Sequence, residues 1–265
     1  MTTLGFIGAG SMASAIMHGL VSSGTPGGDI IFSRRNADAG NQLATDLHAR
    51  FTTDNSEVAT ASHILVLAVK PYLIASILDE ISPHLSPDTI VVSVAAGVSL
   101  TDLAEHLPAG QPIVRAMPNV NSHIGMGMTG LCANDLATPE HFAVVEELFS
   151  AVGEVATVPE HLFSAFSAIA GCSPAWTYTY IDALARAALA EGMTKREAVR
   201  CAAQAVLGSA RMVLDSLDTA VPAELVDRVT SPGGTTIAGL LAMEDAGFSS
   251  AVIAGVRAAV ARDKE

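Results

Sequence analysis

The sequence predicts two successive domains of different fold class, an α/β domain built on a parallel sheet and an all-α domain. Short apolar runs alternate with amphipathic segments over residues 1–158, which is typical of repeated strand–helix–strand units. Strand-like runs end near His161, and residues 161–265 contain 24 alanines. We therefore expect residues 1–158 to form the α/β domain and residues 159–265 to form the helical domain.

Five short apolar runs rich in β-branched residues predict the strands of the parallel sheet. They are Leu4–Gly8, Ile30–Ser33, Ile64–Val69, Ile90–Val94 and Ile113–Met117. Amphipathic spacing predicts intervening helices at Ser11–Ser23, Ala37–Leu47 and Pro71–Ile81. After a turn at Pro118 we expect a β-meander of two weaker strands, separated by a helix at Pro139–Ala151. Those strands are Gly125–Leu131 and Glu154–Val158.

Capping residues mark the helices of the second domain. Ser173 and Pro174 suit the N-cap and first position of a helix that ends near Glu191. A capping-box spacing at Thr194 opens another helix, which ends near Asp215. Two more helices are expected to follow Gly233-Gly234 and Gly247. Alanine-rich helices bury little surface by themselves, so we expect a second copy of the chain to complete this domain as a homodimer.

The composition excludes several classes of protein. Half of the residues are hydrophobic and 15% are charged, with a mean hydropathy of +0.42, which excludes a disordered chain. The longest apolar run, Ile64–Val69, is far shorter than the roughly 20 residues of a membrane span. A net charge of −13 repels nucleic acid and anionic lipid, so we expect neither as a partner. The three cysteines fit no metal motif or disulfide framework, so we expect a cytoplasmic protein that binds no metal.

The turn after the first strand predicts a dinucleotide-binding domain of the Rossmann type. Gly8, Gly10 and Ala13 match the pattern G-x-G-x-x-A between a strand and a helix. Gly8 permits a tight turn, Gly10 permits close approach to a pyrophosphate, and Ala13 permits close packing of helix on strand. The helix N-terminus offers free N–H groups to phosphate, which explains how an acidic protein can hold an anion.

The end of the second strand indicates which dinucleotide is bound. An NAD site usually carries an acidic residue about 20 residues beyond the glycines, to bind the ribose hydroxyls. This chain has Ser33, Arg34 and Arg35 there instead, and guanidinium groups suit a 2′-phosphate. The alternative is that both arginines lie on a solvated helix start. We expect NADPH to be preferred and NADH to be usable.

A second helix N-terminus near the end of the chain predicts an anion site for a small molecule. Gly233 and Gly234 are followed by Thr235, Thr236 and an apolar helical pattern. Free amides and two hydroxyls at such a place suit a small carboxylate. The alternative is an ordinary helix cap.

Four segments in the same order resemble the pyrroline-5-carboxylate reductase family. They are the glycine motif, Ala68–Pro71, Arg115–Asn119 and Val229–Leu240. The resemblance implies reduction of the cyclic imine Δ1-pyrroline-5-carboxylate to L-proline by NAD(P)H, the last step of proline biosynthesis. It also implies an interlocked homodimer, assembled in some members into a ring of dimers.

The resemblance also implies roles for individual residues. It places the pyrophosphate at Gly8, Gly10, Ser11 and Met12. It places the adenosine phosphate at Ser33, Arg34 and Arg35, with Asn55 near the adenosine ribose. The cofactor-lining residues would be Ala68, Val69, Lys70, Pro71, Ala95 and Gly97. The substrate carboxylate would bind the amides of Gly234, Thr235 and Thr236, and the Thr236 hydroxyl would act catalytically at the imine nitrogen.

Two departures from the family pattern bear on substrate identity. Val120-Asn121 stands where the family commonly has Thr-Pro, and Cys172-Ser173 and Trp176 replace Ser-Gly and Tyr. A reductase of another cyclic imine is therefore an alternative. A β-hydroxyacid dehydrogenase is a weaker alternative. Those enzymes carry a catalytic lysine in a glycine-rich helix, and the helix from Pro174 contains no lysine. The third alternative is a protein that binds NADPH as a sensor and catalyses no reaction.

Overall fold

A computed structural model describes residues 2–263 of the chain. Within them the chain separates into two compact units. The N-terminal unit comprises residues 2–171 and 260–263, and the helical unit comprises Cys172–Ala259. The N-terminal unit is an α/β structure, and the helical unit contains no strand among the described residues, so both predicted fold classes are confirmed.

The N-terminal unit is built on one eight-stranded sheet. Its strands are β1 (Leu4–Ile7), β2 (Ile30–Ser33), β3 (Arg50–Thr52), β4 (Ile64–Leu67), β5 (Ile90–Ser93), β6 (Ile113–Met117), β7 (Gly127–Ala133) and β8 (Gly153–Thr157). The strand order is β3-β2-β1-β4-β5-β6-β7-β8, and every neighbouring pair is parallel except β6 and β7. The order reverses between β1 and β4, the place where ligands bind in open α/β sheets.

Helices connect the strands and cover both faces of the sheet. They are α1 (Ser11–Ser22), α2 (Ala37–Leu47), α3 (Asn55–Ala61), α4 (Ile74–Ile81), α5 (Leu100–Glu105), α6 (Pro139–Ser150) and α7 (Phe163–Phe166). One buried cluster contains Phe6, Met17 and Phe149, and a second contains Leu65 and Leu78. Because neighbouring residues of one parallel strand enter different clusters, the strands are apolar on both faces, as their unbroken runs predict.

The β-meander expected after Pro118 is wrong in its second half. β7 pairs antiparallel with β6, as a meander requires, but β8 pairs parallel with β7. A parallel connection needs a long crossover, and α6 provides it. β3, α3 and α5 were not predicted, and they are only 3, 7 and 6 residues long.

The remaining helices run to the end of the described chain. They are α8 (Ser173–Ala190), α9 (Lys195–Asp215), α10 (Pro222–Val229), α11 (Thr235–Asp245) and α12 (Phe248–Asp263). The four predicted helices are confirmed, and α10 was not predicted. The buried residues of α8 and α9 are Pro174, Ala185, Ala198 and Ala202, and α10–α12 have none among the described residues.

The prediction that Ser173 caps a new helix is wrong. α7 continues through a π-helical segment, Ser167–Cys172, directly into α8, so the chain is helical from Phe163 to Ala190. The backbone of Cys172, the residue before α8, is itself in the right-handed helical region. Ser173 therefore lies inside a helix, and Pro174 is accommodated just after the wider π turn.

Candidate active site

The carboxyl ends of four strands form a continuous edge around the point where the strand order reverses. Ile7 is paired with both Ser33 and Leu67, and Leu67 is paired with Ser93. These four residues therefore form one row across β2, β1, β4 and β5. The segments that leave this row contain the residues predicted to bind a cofactor, except Ser33, which lies in the row itself, and Asn55, which begins α3 after β3.

Gly8 makes the turn that follows β1. Its φ is +91°, a conformation that residues with a side chain rarely adopt. A Cβ atom here would lie 2.5 Å from Val69 Cγ1, in the loop after β4. The amide of Gly8 donates to the Ser33 carbonyl oxygen at 3.2 Å. Glycine is thus required both by backbone conformation and by the close approach of two predicted cofactor loops.

The N-terminus of α1 is open to an anion. Gly10 is its N-cap residue, and no side chain caps the helix. Gly10 and Ser11 are exposed, whereas Met12 is half-buried and Ala13 is fully buried. A helix end with uncapped amides and no Cβ in front of it fits a pyrophosphate, so this edge of the sheet fits a dinucleotide.

A chain of hydrogen bonds lies at the end of β2. The Ser33 hydroxyl donates to Asn55 Oδ1 at 2.6 Å, and Asn55 Nδ2 donates to Glu80 Oε2 at 3.2 Å. Arg34 is half-buried and Arg35 is exposed, and neither forms an ion pair within residues 2–263. The guanidinium groups are therefore not neutralised by a carboxylate of the described chain.

The loop after β4 contributes Ala68, Val69, Lys70 and Pro71 to the same edge. The amide of Ala68 donates to the Ile7 carbonyl oxygen at 2.8 Å, which joins this loop to β1. Lys70 is exposed and immediately precedes a 3₁₀ turn that begins at Pro71.

The loop after β5 contributes Ala95 and Gly97. Ala95 is buried and its amide donates to Ser93 Oγ at 3.3 Å, whereas Gly97 is exposed with a φ of +71°. Ser99 then caps α5 in a reciprocal capping box with Asp102. Hydrogen bonds from Ser99 hold the pKa of the Asp102 carboxyl below its usual value.

The predicted carboxylate site lies in the helical unit, at the N-terminus of α11. Gly234 is its N-cap residue, without a side-chain cap, and Thr235 and Thr236 are exposed in the first turn. The amide of Gly234 donates to the Ser231 carbonyl oxygen at 3.0 Å. The amides of Thr235 and Thr236 are therefore better placed than that of Gly234 to bind an anion.

An ion pair between a buried arginine of β6 and a half-buried glutamate was missed by sequence reasoning. Arg115 Nη1 lies 2.7 Å from Glu160 Oε1, and its guanidinium lies 4.7 Å from the centroid of the Phe163 ring. The same Glu160 oxygen accepts a hydrogen bond from the Leu100 amide at 2.7 Å. The sequence signal that could have revealed this pair is the single arginine, Arg115, in an otherwise apolar strand whose five residues are all buried.

Asn119 fixes the loop after β6. Its Nδ2 donates to the Ala170 carbonyl oxygen in the π-helical segment at 2.9 Å. Its Oδ1 accepts from the amides of Asn121 and Met128, at 3.2 and 3.3 Å. Asn121 stands where the family pattern has a proline, which could not donate this hydrogen bond.

Cysteine and acidic side chains are the other candidates for chemistry in the described chain. All three cysteines are free, and burial raises the pKa of the Cys132 thiol to about 11, which makes it a poor nucleophile. Within residues 2–263, no three His, Cys, Asp or Glu side chains are arranged to hold a metal ion.

No single described helix has the length and apolar character of a membrane span, although the bent pair α11 and α12 has both when taken together.

Comparison with known proteins decides the family. Residues 3–97 match a model described as NADP oxidoreductase, coenzyme F420-dependent, and residues 160–265 match a model described as pyrroline-5-carboxylate reductase dimerisation. The pyrroline-5-carboxylate reductase of Methanosarcina acetivorans is 39% identical, over 99% of this chain and 97% of the relative. The chain belongs to the pyrroline-5-carboxylate reductase family.

Solved reductase structures agree with this assignment along the whole chain. The pyrroline-5-carboxylate reductase of Coxiella burnetii superposes with a TM-score of 0.92 at 33% identity, covering 99% of this chain and 97% of the other. The pyrroline carboxylate reductase of Plasmodium falciparum, solved with NADP bound, gives 0.87 at 29% identity, covering 99% and 97%. The family resemblance seen in the sequence is confirmed.

Proposed function

We propose that this chain reduces Δ1-pyrroline-5-carboxylate to L-proline, the last step of proline biosynthesis, with NADPH as preferred cofactor and NADH as a usable one. The observation that carries the proposal is the full-length similarity to reductases named for this substrate. The open sheet edge supports a dinucleotide, and the α11 N-terminus supports a carboxylate.

The residues that we propose to bind the cofactor fall into groups according to the strand that they follow. Gly8, Gly10, Ser11 and Met12 bind the pyrophosphate at the N-terminus of α1, where free amides face the anion. Arg34 and Arg35 bind the 2′-phosphate, and Ser33 and Asn55 lie beside the adenosine half of the cofactor. The loops after β4 and β5 line the other half, through Ala68, Val69, Lys70, Pro71, Ala95 and Gly97. NADPH, when bound, supplies the hydride.

The substrate residues act by binding and orientation. The amides of Thr235 and Thr236 bind the carboxylate, with Gly234 as the cap residue that leaves them open. The Thr236 hydroxyl hydrogen-bonds the imine nitrogen, which must carry a proton for its carbon to accept a hydride. A protonated imine is already electrophilic, so positioning provides most of the rate acceleration.

The same assignment supports a proposal about assembly and location. We propose that residues 1–158 bind the cofactor and that residues 159–265 bind substrate and form a cytoplasmic homodimer, with a ring of dimers as the larger assembly. The match of residues 160–265 to a dimerisation model supports the dimer.

Following NADPH oxidation with several substrates tests the function. The wild-type chain should oxidise NADPH with pyrroline-5-carboxylate, and it should not reduce NADP⁺ with β-hydroxyacids, the direction in which a β-hydroxyacid dehydrogenase would use them. A faster reaction with the six-membered piperideine carboxylate would instead support a reductase of another cyclic imine, the alternative favoured by Asn121 and Trp176 near the family motifs. NADPH binding without turnover of any imine would support the sensor.

Replacing Thr236 tests the catalytic assignment. Thr236→Ala should lower kcat/KM for the imine by about tenfold to a hundredfold, because the hydrogen bond to a charged nitrogen is lost. Thr236→Ser keeps the hydroxyl and should retain most of the rate, and the Kd for NADPH should stay unchanged in both variants. Full turnover by Thr236→Ala would remove Thr236 from the mechanism.

A further inference from the structure

We propose that Glu160 is a positioning residue for the loop between β5 and α5, and through it for the nicotinamide half of the cofactor. This inference rests on the proposed function. It concerns a residue outside the set predicted from the sequence, and it stands on contacts within the N-terminal unit.

Glu160 joins three parts of that unit through one oxygen atom. Its Oε1 accepts hydrogen bonds from Arg115 Nη1 in β6 and from the Leu100 amide at the start of α5, each at 2.7 Å. Glu160 itself begins the 3₁₀ turn that precedes α7. A single carboxylate thus links the sheet, α5 and the segment that leads into α7.

Arg115 holds this carboxylate in place. Its side chain is 9% exposed, and its guanidinium lies over the Phe163 ring. Arginine remains protonated in proteins, so a buried guanidinium requires an anionic partner. The position of the half-buried Glu160 carboxylate is therefore set largely by the buried charge of Arg115.

The Leu100 amide depends on Glu160 because the local capping groups serve other amides. The Ser99 hydroxyl accepts from the Asp102 amide at 3.0 Å, and the Asp102 carboxylate accepts from the Ser99 amide at 2.8 Å. Leu100 is the first residue of α5, a position whose amide has no partner within its own helix. Glu160, 60 residues away in the chain, accepts this hydrogen bond.

The loop that ends at Leu100 is held chiefly at its two ends. At its start, the Val94 amide donates to the Leu67 carbonyl oxygen at 3.1 Å. In its middle, Ala96 and Gly97 are exposed, and no heavy atom beyond the adjoining residues lies within 4 Å of where a Gly97 Cβ would be. At its far end, Val98 and Leu100 pack against the core and the Leu100 amide bonds to Glu160, so the middle is placed by anchors at either end and Glu160 is one of them.

The strand order identifies which half of the dinucleotide this loop faces. β2 lies on one side of β1, and β4 and β5 lie on the other. A dinucleotide with its pyrophosphate at α1 and its adenosine over β2 extends its nicotinamide half over β4 and β5. Loosening the loop after β5 should therefore affect the nicotinamide half and spare the adenosine half.

A matched pair of double variants tests the anchor without leaving a buried charge. Both carry Arg115→Met, one with Glu160→Gln and the other with Glu160→Ala. Glutamine keeps a carbonyl oxygen that can accept from Leu100, and alanine does not. The Ala variant should bind NADP⁺ about tenfold more weakly than the Gln variant, as expected for loss of ordering by one hydrogen bond. Both should bind 2′,5′-ADP, which lacks the nicotinamide half, within twofold of the wild-type chain.

Hydrogen exchange and a control variant complete the test. Amides of residues 95–100 should exchange at least tenfold faster in the Ala variant than in the Gln variant. Glu147→Ala, which removes an exposed glutamate of α6, should change neither exchange nor binding. Equal NADP⁺ affinity and equal exchange in the two double variants would overturn the role of Glu160, as would an equal loss of 2′,5′-ADP binding. Failure of the wild-type chain to bind both ligands would instead overturn the proposed function.

Discussion

Hydrogen-bond direction at the end of β2 determines what Ser33 can offer a ligand. A carboxylate only accepts, so Asn55 must turn its Nδ2 towards Glu80 and its Oδ1 towards Ser33. The single hydroxyl proton of Ser33 is consequently donated to Asn55. Arg34 and Arg35 are then the side chains at this strand end that we propose as donors for a 2′-phosphate.

Removing both arginines should weaken NADPH specifically. Arg34→Ala/Arg35→Ala should raise KM for NADPH about tenfold or more, because two charge-assisted contacts to the phosphate are lost, and should change KM for NADH less than twofold. Arg50→Ala is the control, since Arg50 is exposed at the amino end of β3, away from the row of strand ends. Unchanged selectivity in the double variant would place both arginines on a merely solvated surface.

The π-helical segment shows how an element can depend on a distant side chain. In an α-helix the Ala170 carbonyl oxygen would accept from the amide four residues on, but that residue is Pro174, which has no N–H. Asn119 donates to this oxygen from 51 residues away. The unusual helical turn and the loop after β6 therefore stabilise each other.

A double-mutant cycle measures this dependence. Asn119→Ala should lower the free energy of unfolding by about 1–3 kcal/mol, because buried backbone groups lose their partner. In a Pro174→Ala background the new amide can donate to Ala170, so the same substitution should cost measurably less. Urea denaturation of the four proteins gives the coupling, and strictly additive costs would contradict it.

Elements with strong local signals were predictable, and those fixed by distant contacts were not. Apolar runs and glycines were sufficient for β1, β4 and the turn at Gly8, because burial on both faces leaves a continuous pattern. β3 is only three residues long and half-exposed, so it becomes a strand because it pairs with β2. The helix start expected at Ser173 was wrong for a similar reason. Ser-Pro resembles a cap locally, while Asn119 and the π turn allow the helix to continue.

The candidate site was predictable to a similar degree. The strand-end loops lie along one edge, as parallel strands require, and so the glycine motif, the arginine pair and the loops after β4 and β5 were found together. Glu160 was missed, since a glutamate outside any motif carries no sign of the buried arginine it faces.

At the scale of the whole molecule, the helical unit is unusual in how little it buries. Large apolar side chains remain exposed along it, among them Leu217 at 69%, Val229 at 64% and Met212 at 60%. Exposed apolar surface of this kind indicates an interaction surface. Together with the match to a dimerisation model, it supports association with a second copy of the chain.

Stability should therefore depend on protein concentration. If folding of the helical unit is completed by a second copy, tenfold dilution should lower Tm by a few degrees, since dissociation accompanies unfolding. Sedimentation should give a mass corresponding to two or a multiple of two chains of 27.2 kDa. A monomeric mass with a concentration-independent Tm would contradict the homodimer.

The row formed by Ile7, Ser33, Leu67 and Ser93 has a practical consequence for engineering. Backbone pairing fixes these four positions relative to one another, whatever side chains the loops beyond them carry. They are natural splice points at which loops from other reductases could be transplanted while the sheet stays intact. A library of such chimaeras could exchange cofactor preference one loop at a time while leaving the proposed carboxylate site at the start of α11 untouched.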